Sequence, residues 1–330
     1  MYQSFYGLTE PAFELTSNPR FLFLTAGHRE ALSNLKYGLS TAKAVTLLLG
    51  EAGTGKTTLL RAALQSDECQ HVTCVYLSNP TLTRAEFLEI LAAEFELGGR
   101  AAESKAALLE LLEVELRRRR DRGEVAALVV DEAQSLSQDL LEEIRLLANM
   151  ETPDEKLLPF VLAGQPEFAA RLNEPGLRQL KQRVALRCEV AALSMQETAA
   201  YIATRITLAG GDAARLFTRE AVMLIHERAQ GIPRIINVIC DNALLSGFAL
   251  ARQPVDHEIV LEVCKDFDLR RRDVRSVGAT RRALAEEAIR SVSNPSSTDL
   301  PPAVEPGNLP EGEAANVARG RVAGLGLSGR

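Results

Sequence analysis

Apolar positions along this chain change rhythm twice. Between residues 44 and 192, near-continuous apolar runs at 44–49, 125–130 and 157–163 alternate with stretches whose leucines return every three or four positions. Such runs suit strands covered on both faces, and the intervening spacing suits amphipathic helices. The pattern places strands at 44–49, 72–77, 125–130, 157–163 and 184–190, and helices at 56–65, 84–96, 104–120 and 138–149. Gly123 stands where the 104–120 helix would be capped. Strands separated by helices predict an α/β fold: a parallel sheet with helices on both faces. Beyond Ala192 only helical spacing remains, at 195–208, 219–229, 234–250 and 256–267, which predicts a small all-helical domain. Ser194, followed three residues later by Glu197, has the form of a capping box at its start.

The flanks differ from both. Residues 1–43 form an aromatic-rich lead-in holding Phe5, Tyr6, Phe13, Phe21, Phe23 and Tyr37, with a helix expected over 28–39. From residue 269 a basic run (Arg270, Arg271, Arg272, Arg275, Arg281, Arg282) gives way to Pro, Gly, Ser and Ala, the composition of a disordered tail. The expected division is therefore lead-in 1–43, α/β core 44–192, helical lid 193–268 and tail 269–330.

The richest chemistry lies between the first apolar run and its helix. Gly50-Glu51-Ala52-Gly53-Thr54-Gly55-Lys56-Thr57 matches G-x-x-x-x-G-K-[ST], with Thr58 next in the helix. Glycines let the backbone curl so that its N–H groups point inward around phosphate oxygens, and the helix start adds positive potential. Lys56 can reach the β- and γ-phosphates of a nucleotide, and the Thr57 hydroxyl can ligate Mg²⁺. The run 125–130 then ends in Asp131-Glu132, a Walker B pattern. Asp131 would serve the metal's water shell, and Glu132 would orient and polarise an attacking water. Adjacent Asp and Glu point to hydrolysis with a water nucleophile, away from the GTPase switch class and small-molecule kinases, and the guanine signature Asn-Lys-x-Asp is absent.

Weaker signals follow. Gln165 ends the 157–163 run and would sit beside Asp131 if that strand lies between the other two. Arginine suits the charge that builds on a transferring phosphoryl group. Arg178 and Arg183, just before the last strand, could act in trans on a neighbour's ATP. Arg234, which follows Gly231-Ile232-Pro233, could reach back from the lid.

Composition narrows the alternatives. The chain has 330 residues, 46% apolar and 25% charged, ordinary for a soluble globular protein. A net charge of -6 argues against whole-surface binding of nucleic acid and leaves only a local basic patch for it. Arg117 to Arg120 end a helix, where cations suit the helix dipole. The five cysteines include no Cys-x-x-Cys pair, and no His lies at zinc spacing, so reduced buried thiols are expected. No secretory signal opens the chain. The most apolar helix, 235–251, is interrupted by Asn237, Asp241 and Asn242, which are costly inside a bilayer. A cytoplasmic protein is expected, reaching the inner face of the membrane through partners.

Together these residues carry a resemblance. Tyr2-x-x-Phe5-Tyr6-Gly7-Leu8, Asn18-Pro19-Arg20-Phe21 and His28-Arg29-Glu30-Ala31-Leu32 are similar to the start of the general secretion pathway protein A family of AAA+ ATPases. So are Gly164-Gln165-Pro166-Glu167, Leu177-Arg178-Gln179-Leu180 with Gln182-Arg183, and Gly231-Ile232-Pro233-Arg234-x-Ile236-Asn237 further along. That family includes exosortase-associated and pilus-biogenesis ATPases. The resemblance implies sensor roles for Gln165 and Arg234, and a trans-acting finger at Arg183 or, second, Arg178. It also implies homo-oligomers with ATP at subunit junctions, and a role in a secretion, pilus or exopolysaccharide system. Fuller members continue into a membrane span and a peptidoglycan-binding domain. This chain has its basic tail there instead, so the resemblance is to shorter members. Transposition regulators share the core and a similar lid, which makes a DNA-transaction ATPase the alternative.

Overall fold

Three strands are buried at every position and take the centre of the sheet: β1 (Val45–Gly50), β3 (Val125–Val130) and β4 (Phe160–Gly164). Two more, β2 (Val72–Leu77) and β5 (Val184–Val190), are only partly buried, β5 with every second position exposed, and close its edges. That is the division expected when only central strands are covered on all sides. In the computed structural model, which describes residues 2–16, 18–78 and 81–269, all pairings are parallel, in the order β2-β3-β4-β1-β5. β4 thus lies between β1 and β3, the condition for bringing Gln165 beside Asp131. It begins at Phe160 rather than at residue 157. Pro159 has no N–H for the ladder, and the Leu157 N–H is already given to Met150 O at 3.0 Å.

Alternation along the strands sorts the core into two layers. Leu47, Leu49, Leu128, Val130, Phe160 and Leu162 face one way. There they meet α3 (Arg84–Glu94), α4 (Lys105–Asp121), α5 (Gln138–Leu147), α6 (Pro166–Arg171) and α7 (Arg178–Lys181). Leu48, Ala127, Val129, Val161, Ala163 and Val190 face the other way, onto α1 (Ala26–Ser40) and α2 (Lys56–Leu64). Helices on both faces of a parallel sheet are therefore observed. The arginines ending α4 are paired: Arg117 with Glu113, Arg118 and Arg119 with Glu115, and Arg120 with Glu155. Gly123, at φ 77°, accepts the left-handed turn that ends this helix.

The helical part follows as α8 (Met195–Leu208), α9 (Ala213–Leu216), α10 (Arg219–Ala229), α11 (Pro233–Ala249) and α12 (His257–Asp266). The Ser194–Glu197 capping box forms in both directions at the start of α8. Among the described residues no helix is long and apolar enough to cross a membrane, and all five cysteines are free.

Residues 1–43 divide between two cores. α1 covers the sheet, whereas Tyr2, Tyr6, Leu8, Ala12 and Phe13 are buried with α8, α10, α11 and α12. Backbone polarity supports this: Thr9 N–H donates to Ala209 O at 2.8 Å, and its hydroxyl reaches the same carbonyl at 2.9 Å. The first residues of the chain are thus part of the helical core built from residues near 200–264. The basic run 270–282 and the tail lie outside the described residues.

Candidate active site

Parallel strands bring their C-terminal ends to one edge, where β1, β3 and β4 deliver the loop 51–55, Asp131 and Gln165 together. The loop turns on two left-handed glycines, Gly53 at φ 83° and Gly55 at φ 102°. Gly55 is the N-cap of α2 and offers no side chain to the helix's free N–H groups. They remain directed at whatever lies in front, the arrangement that favours an anion. Gly50 is enforced differently. A Cβ there would fall 2.7 Å from Val190 O and 2.8 Å from Thr54 Oγ1.

Lys56 is 4% exposed. Its Nζ donates to Gly50 O at 2.8 Å and to Glu51 O at 3.1 Å. Burial pushes its ammonium below the usual lysine range, against the opposing pull of Glu132, Asp131, Glu51 and Glu167. Thr57 donates its hydroxyl to Asp131 Oδ2 at 2.6 Å. Tyr76, near the end of β2, donates to the same oxygen at 2.9 Å. Asp131 Oδ1 accepts the Glu132 N–H at 3.0 Å. Glu132 takes a left-handed backbone at φ 54° and ψ 41°, a conformation that costs a non-glycine residue about 1 kcal/mol or more. Its carboxylate accepts from Gln134 and, at 3.5 Å, from Gln165 Nε2. Gln134 Oε1 in turn accepts the Gln165 N–H at 3.1 Å.

Lys56, Thr57 and Glu132 open onto a cavity of about 250 Å³, whereas Gly50, Tyr76, Asp131, Gln134 and Gln165 do not line it and reach it only through the bonds just described. Gly53, Thr54, Gly55, Lys56, Thr57, Thr58 and Glu132 form its floor, and Arg234 stands on the side of the helical part. The Arg234 N–H donates to Gly53 O at 3.2 Å. A Cβ on Gly53 would lie 2.7 Å from Arg234 Cβ, so that glycine is what lets the two parts meet. Glu51 and Ala52 are exposed on the outer turn and do not line the cavity. Nor do Arg178, exposed at the start of α7, and Arg183, half-buried before β5. Within one chain they are not brought to the site.

Several groups at the site carry no signal that single-residue pattern could expose. Gln134 and Tyr76 are lone polar residues. His28 belongs to a quoted segment, yet only the fold shows its partners: Nε2 lies 3.3 Å from Thr54 O and Nδ1 lies 2.7 Å from Thr25 Oγ1. A neutral ring satisfies both, donating to the carbonyl and accepting from the hydroxyl. Burial lowers the imidazole from its ordinary 6.5, outweighing the Thr54 hydrogen bond and Glu197. The folded protein therefore holds this proton less tightly than the unfolded chain. Stability is fully present above 6.5 and is lost as pH falls through that value toward the lowered one. Denaturant midpoints at several pH values should show a smaller acid loss in His28→Gln than in the parent. Some loss remains, because burial lowers His226 as well. Identical pH profiles would show that His28 is not held neutral.

A curled glycine loop before a helix, with a carboxylate pair at the end of the next strand but one in the sheet, defines the P-loop nucleoside triphosphatase class. The AAA domain family model matches residues 40–172. Two solved structures show the same fold. The ORC2 protein of Aeropyrum pernix, in ADPNP–ADP complexes, has a TM-score of 0.59 and 16% identity over 81% of this chain and 74% of that one. Cdc6p of Pyrobaculum aerophilum has a TM-score of 0.57 and 19% identity over 72% and 66%. In sequence, general secretion pathway protein A of Aeromonas hydrophila is 40% identical over 257 residues, which is 78% of this chain and 47% of that protein. The chain thus carries an AAA domain and is similar in sequence to general secretion pathway protein A. It spans about half the length of that relative.

Proposed function

We propose that this protein binds Mg·ATP and hydrolyses it, and that turnover assembles or powers a secretion or envelope-export machine from the cytoplasmic side of the membrane. One observation carries the chemistry: the Thr57 hydroxyl and the Asp131 carboxylate lie 2.6 Å apart at the head of the loop that holds Lys56, with Glu132 next in the chain. Two hard oxygen donors suit magnesium, which takes the rest of its octahedron from water and phosphate. No cluster of three or more His, Cys, Asp or Glu side chains suited to a metal occurs among the described residues, so an all-protein cage is not the alternative here. When bound, the ion would neutralise charge on the β- and γ-phosphates.

The protein's own groups divide the work. The loop amides from Gly50 to Thr58 cradle phosphate, and Lys56 exchanges its loop carbonyls for the β- and γ-phosphate oxygens. Glu132 takes the proton of the attacking water, held in place by Gln134 and Gln165. Gln165 also faces the γ-phosphate. Arg234 reaches the nucleotide from the helical part and ties its position to occupancy. Arg183, or in second place Arg178, completes a neighbouring copy's site in a homo-oligomer, in keeping with their position away from their own chain's cavity. The secretion assignment is supported by the relative's printed name and by the shared terminal segments. A DNA-transaction ATPase would need a local basic patch, for which the chain has two arginine runs. One is spent on glutamates of α4 and the loop at Glu155, and the other lies outside the described residues.

Purified protein should bind ATP, and Lys56→Ala should weaken binding by at least about tenfold, the worth of a charge-assisted hydrogen bond to phosphate. Equal affinity in the two proteins, measured by equilibrium titration, would remove the loop from nucleotide binding.

A further inference from the structure

Three buried polar side chains of the helical part join into a line that ends at the cavity. Arg205, Tyr201 and Asn237 are 5%, 5% and 6% exposed, and each lines the cavity. Arg205 Nη1 donates to the Tyr201 hydroxyl at 2.7 Å, and that hydroxyl lies 2.8 Å from Asn237 Oδ1. A guanidinium has only donors, so the Tyr201 oxygen must accept from it. The phenol proton then goes to Asn237, which has to turn its carboxamide oxygen toward Tyr201. Burial pushes the Tyr201 phenol up, so that proton is kept through the neutral range. The amide orientation is thereby set by the chemistry of its neighbours. Asn237 Nδ2 is left with no acceptor among the described residues, and it is not sealed in the interior.

Asn237 Nδ2 therefore stands at the cavity with no acceptor of its own among those residues. A cation and a phenol are arranged to aim it, which makes sense if an acceptor arrives. Position says which. Arg234, three residues earlier on the same face of α11, meets the phosphate loop through Gly53. Asn237 lies about 4.5 Å further along that helix. There it joins Arg205, whose Nε holds Ala12 O at 2.6 Å and whose guanidinium stacks on Phe21 at 4.8 Å. With phosphates on the loop at Lys56, a nucleotide would have for its nucleoside the rest of the cavity, which Arg205 and Asn237 also line.

We propose that Asn237 reads the nucleoside: its amide N–H donates to an acceptor on the ribose or the purine ring, with Tyr201 and Arg205 as positioning residues. The inference rests on the nucleotide-binding function proposed above and adds a specificity element to it. Triphosphate contacts at the loop do not distinguish one nucleoside from another, whereas a fixed donor at the far end does.

The test uses the full chain and equilibrium titration of ATP, 2′-deoxyATP, 3′-deoxyATP, 7-deaza-ATP and 3-deaza-ATP, with inorganic triphosphate as competitor. Asn237→Ala and Asn237→Asp, which keeps the shape but removes the donor, should each weaken ATP binding about fivefold to tenfold. Against the one analogue that lacks the acceptor, variants and parent should bind alike, and that analogue identifies ribose or base. Tyr201→Phe should repeat the pattern more weakly, and triphosphate affinity should be unchanged throughout. Unchanged ATP affinity in both Asn237 variants would overturn the inference. So would equal losses for every analogue and for triphosphate, which would mean a structural role. A parent protein that binds no nucleotide would overturn the proposed function together with this inference. Lys56-dependent binding that is indifferent to Asn237 would overturn the inference alone.

Discussion

Glu132→Gln is expected to bind ATP as tightly as the parent and to turn it over roughly a hundredfold to ten-thousandfold more slowly, the usual worth of a positioned general base. The binding half follows from what the change leaves in place. Lys56, the loop amides and the Thr57–Asp131 pair are contributed by other residues, and glutamine keeps the size of the side chain. The turnover half follows from how Glu132 is held. Its carboxylate accepts from Gln134 and Gln165, and its backbone is left-handed at φ 54°. A strained backbone with two amide donors on one carboxylate fits a group that must point one way. An amide in its place can be held by the same neighbours and cannot accept a proton from water. Single-turnover phosphate release measured beside equilibrium binding separates the two halves. Unchanged release would remove Glu132 from the base role, and lost binding would mean that it helps to hold nucleotide. Gln165→Ala should slow release as well, but less, since it removes one of two orienting donors and leaves the base itself.

Most of the α/β core was legible because its signals are local and redundant. β1 and β3 are continuous apolar runs, the glycine loop has a fixed spacing, and Ser194 with Glu197 spells out a helix start within four residues. β4 was misjudged by three residues because Leu157 and Leu158 are as buried as a strand's, while Pro159 interrupts the ladder that would make them one. α6, α7 and α9 are four to six residues long, too short for a helical period to register. The lead-in posed a different difficulty. Its aromatic density says that Tyr6 and Phe13 want burial, but not where. The answer is a helical core about 200 residues away in sequence, which no local pattern can encode. The same holds for Arg205 and Tyr201. One turn apart on α8, they read as an ordinary polar stripe until the fold turns them inward. Arg178 and Arg183 were legible as candidates only, because a role in trans belongs to a geometry that one chain does not contain.

Gly231→Ala is expected to destabilise the fold by about 2–4 kcal/mol and to weaken nucleotide binding with it. Two independent terms add at this position. Gly231 has φ 71°, a left-handed backbone that disfavours alanine by about 1–2 kcal/mol. A Cβ would also stand 2.0 Å from Leu193 O and 2.9 Å from Leu193 N, backbone atoms that cannot rotate away. Relief requires the two strands of chain to part, which breaks the hydrogen bond from Leu193 N–H to Gly231 O, now 2.8 Å. The displacement does not stay local. Ile232, Pro233 and Arg234 follow directly and start α11, and the Arg234 N–H is bonded to Gly53 O of the phosphate loop at 3.2 Å. Gly123→Ala supplies the comparison. Its φ is 77°, but nothing lies within 4 Å of the added Cβ, so it should show only the backbone term, about 1 kcal/mol, with binding untouched. Denaturant midpoints and ATP titrations of both variants decide the matter. Equal losses of stability would mean that the loop at Leu193 yields freely, and that Gly231 is required for its backbone angle alone, not for the close approach that joins the helical part to the phosphate loop.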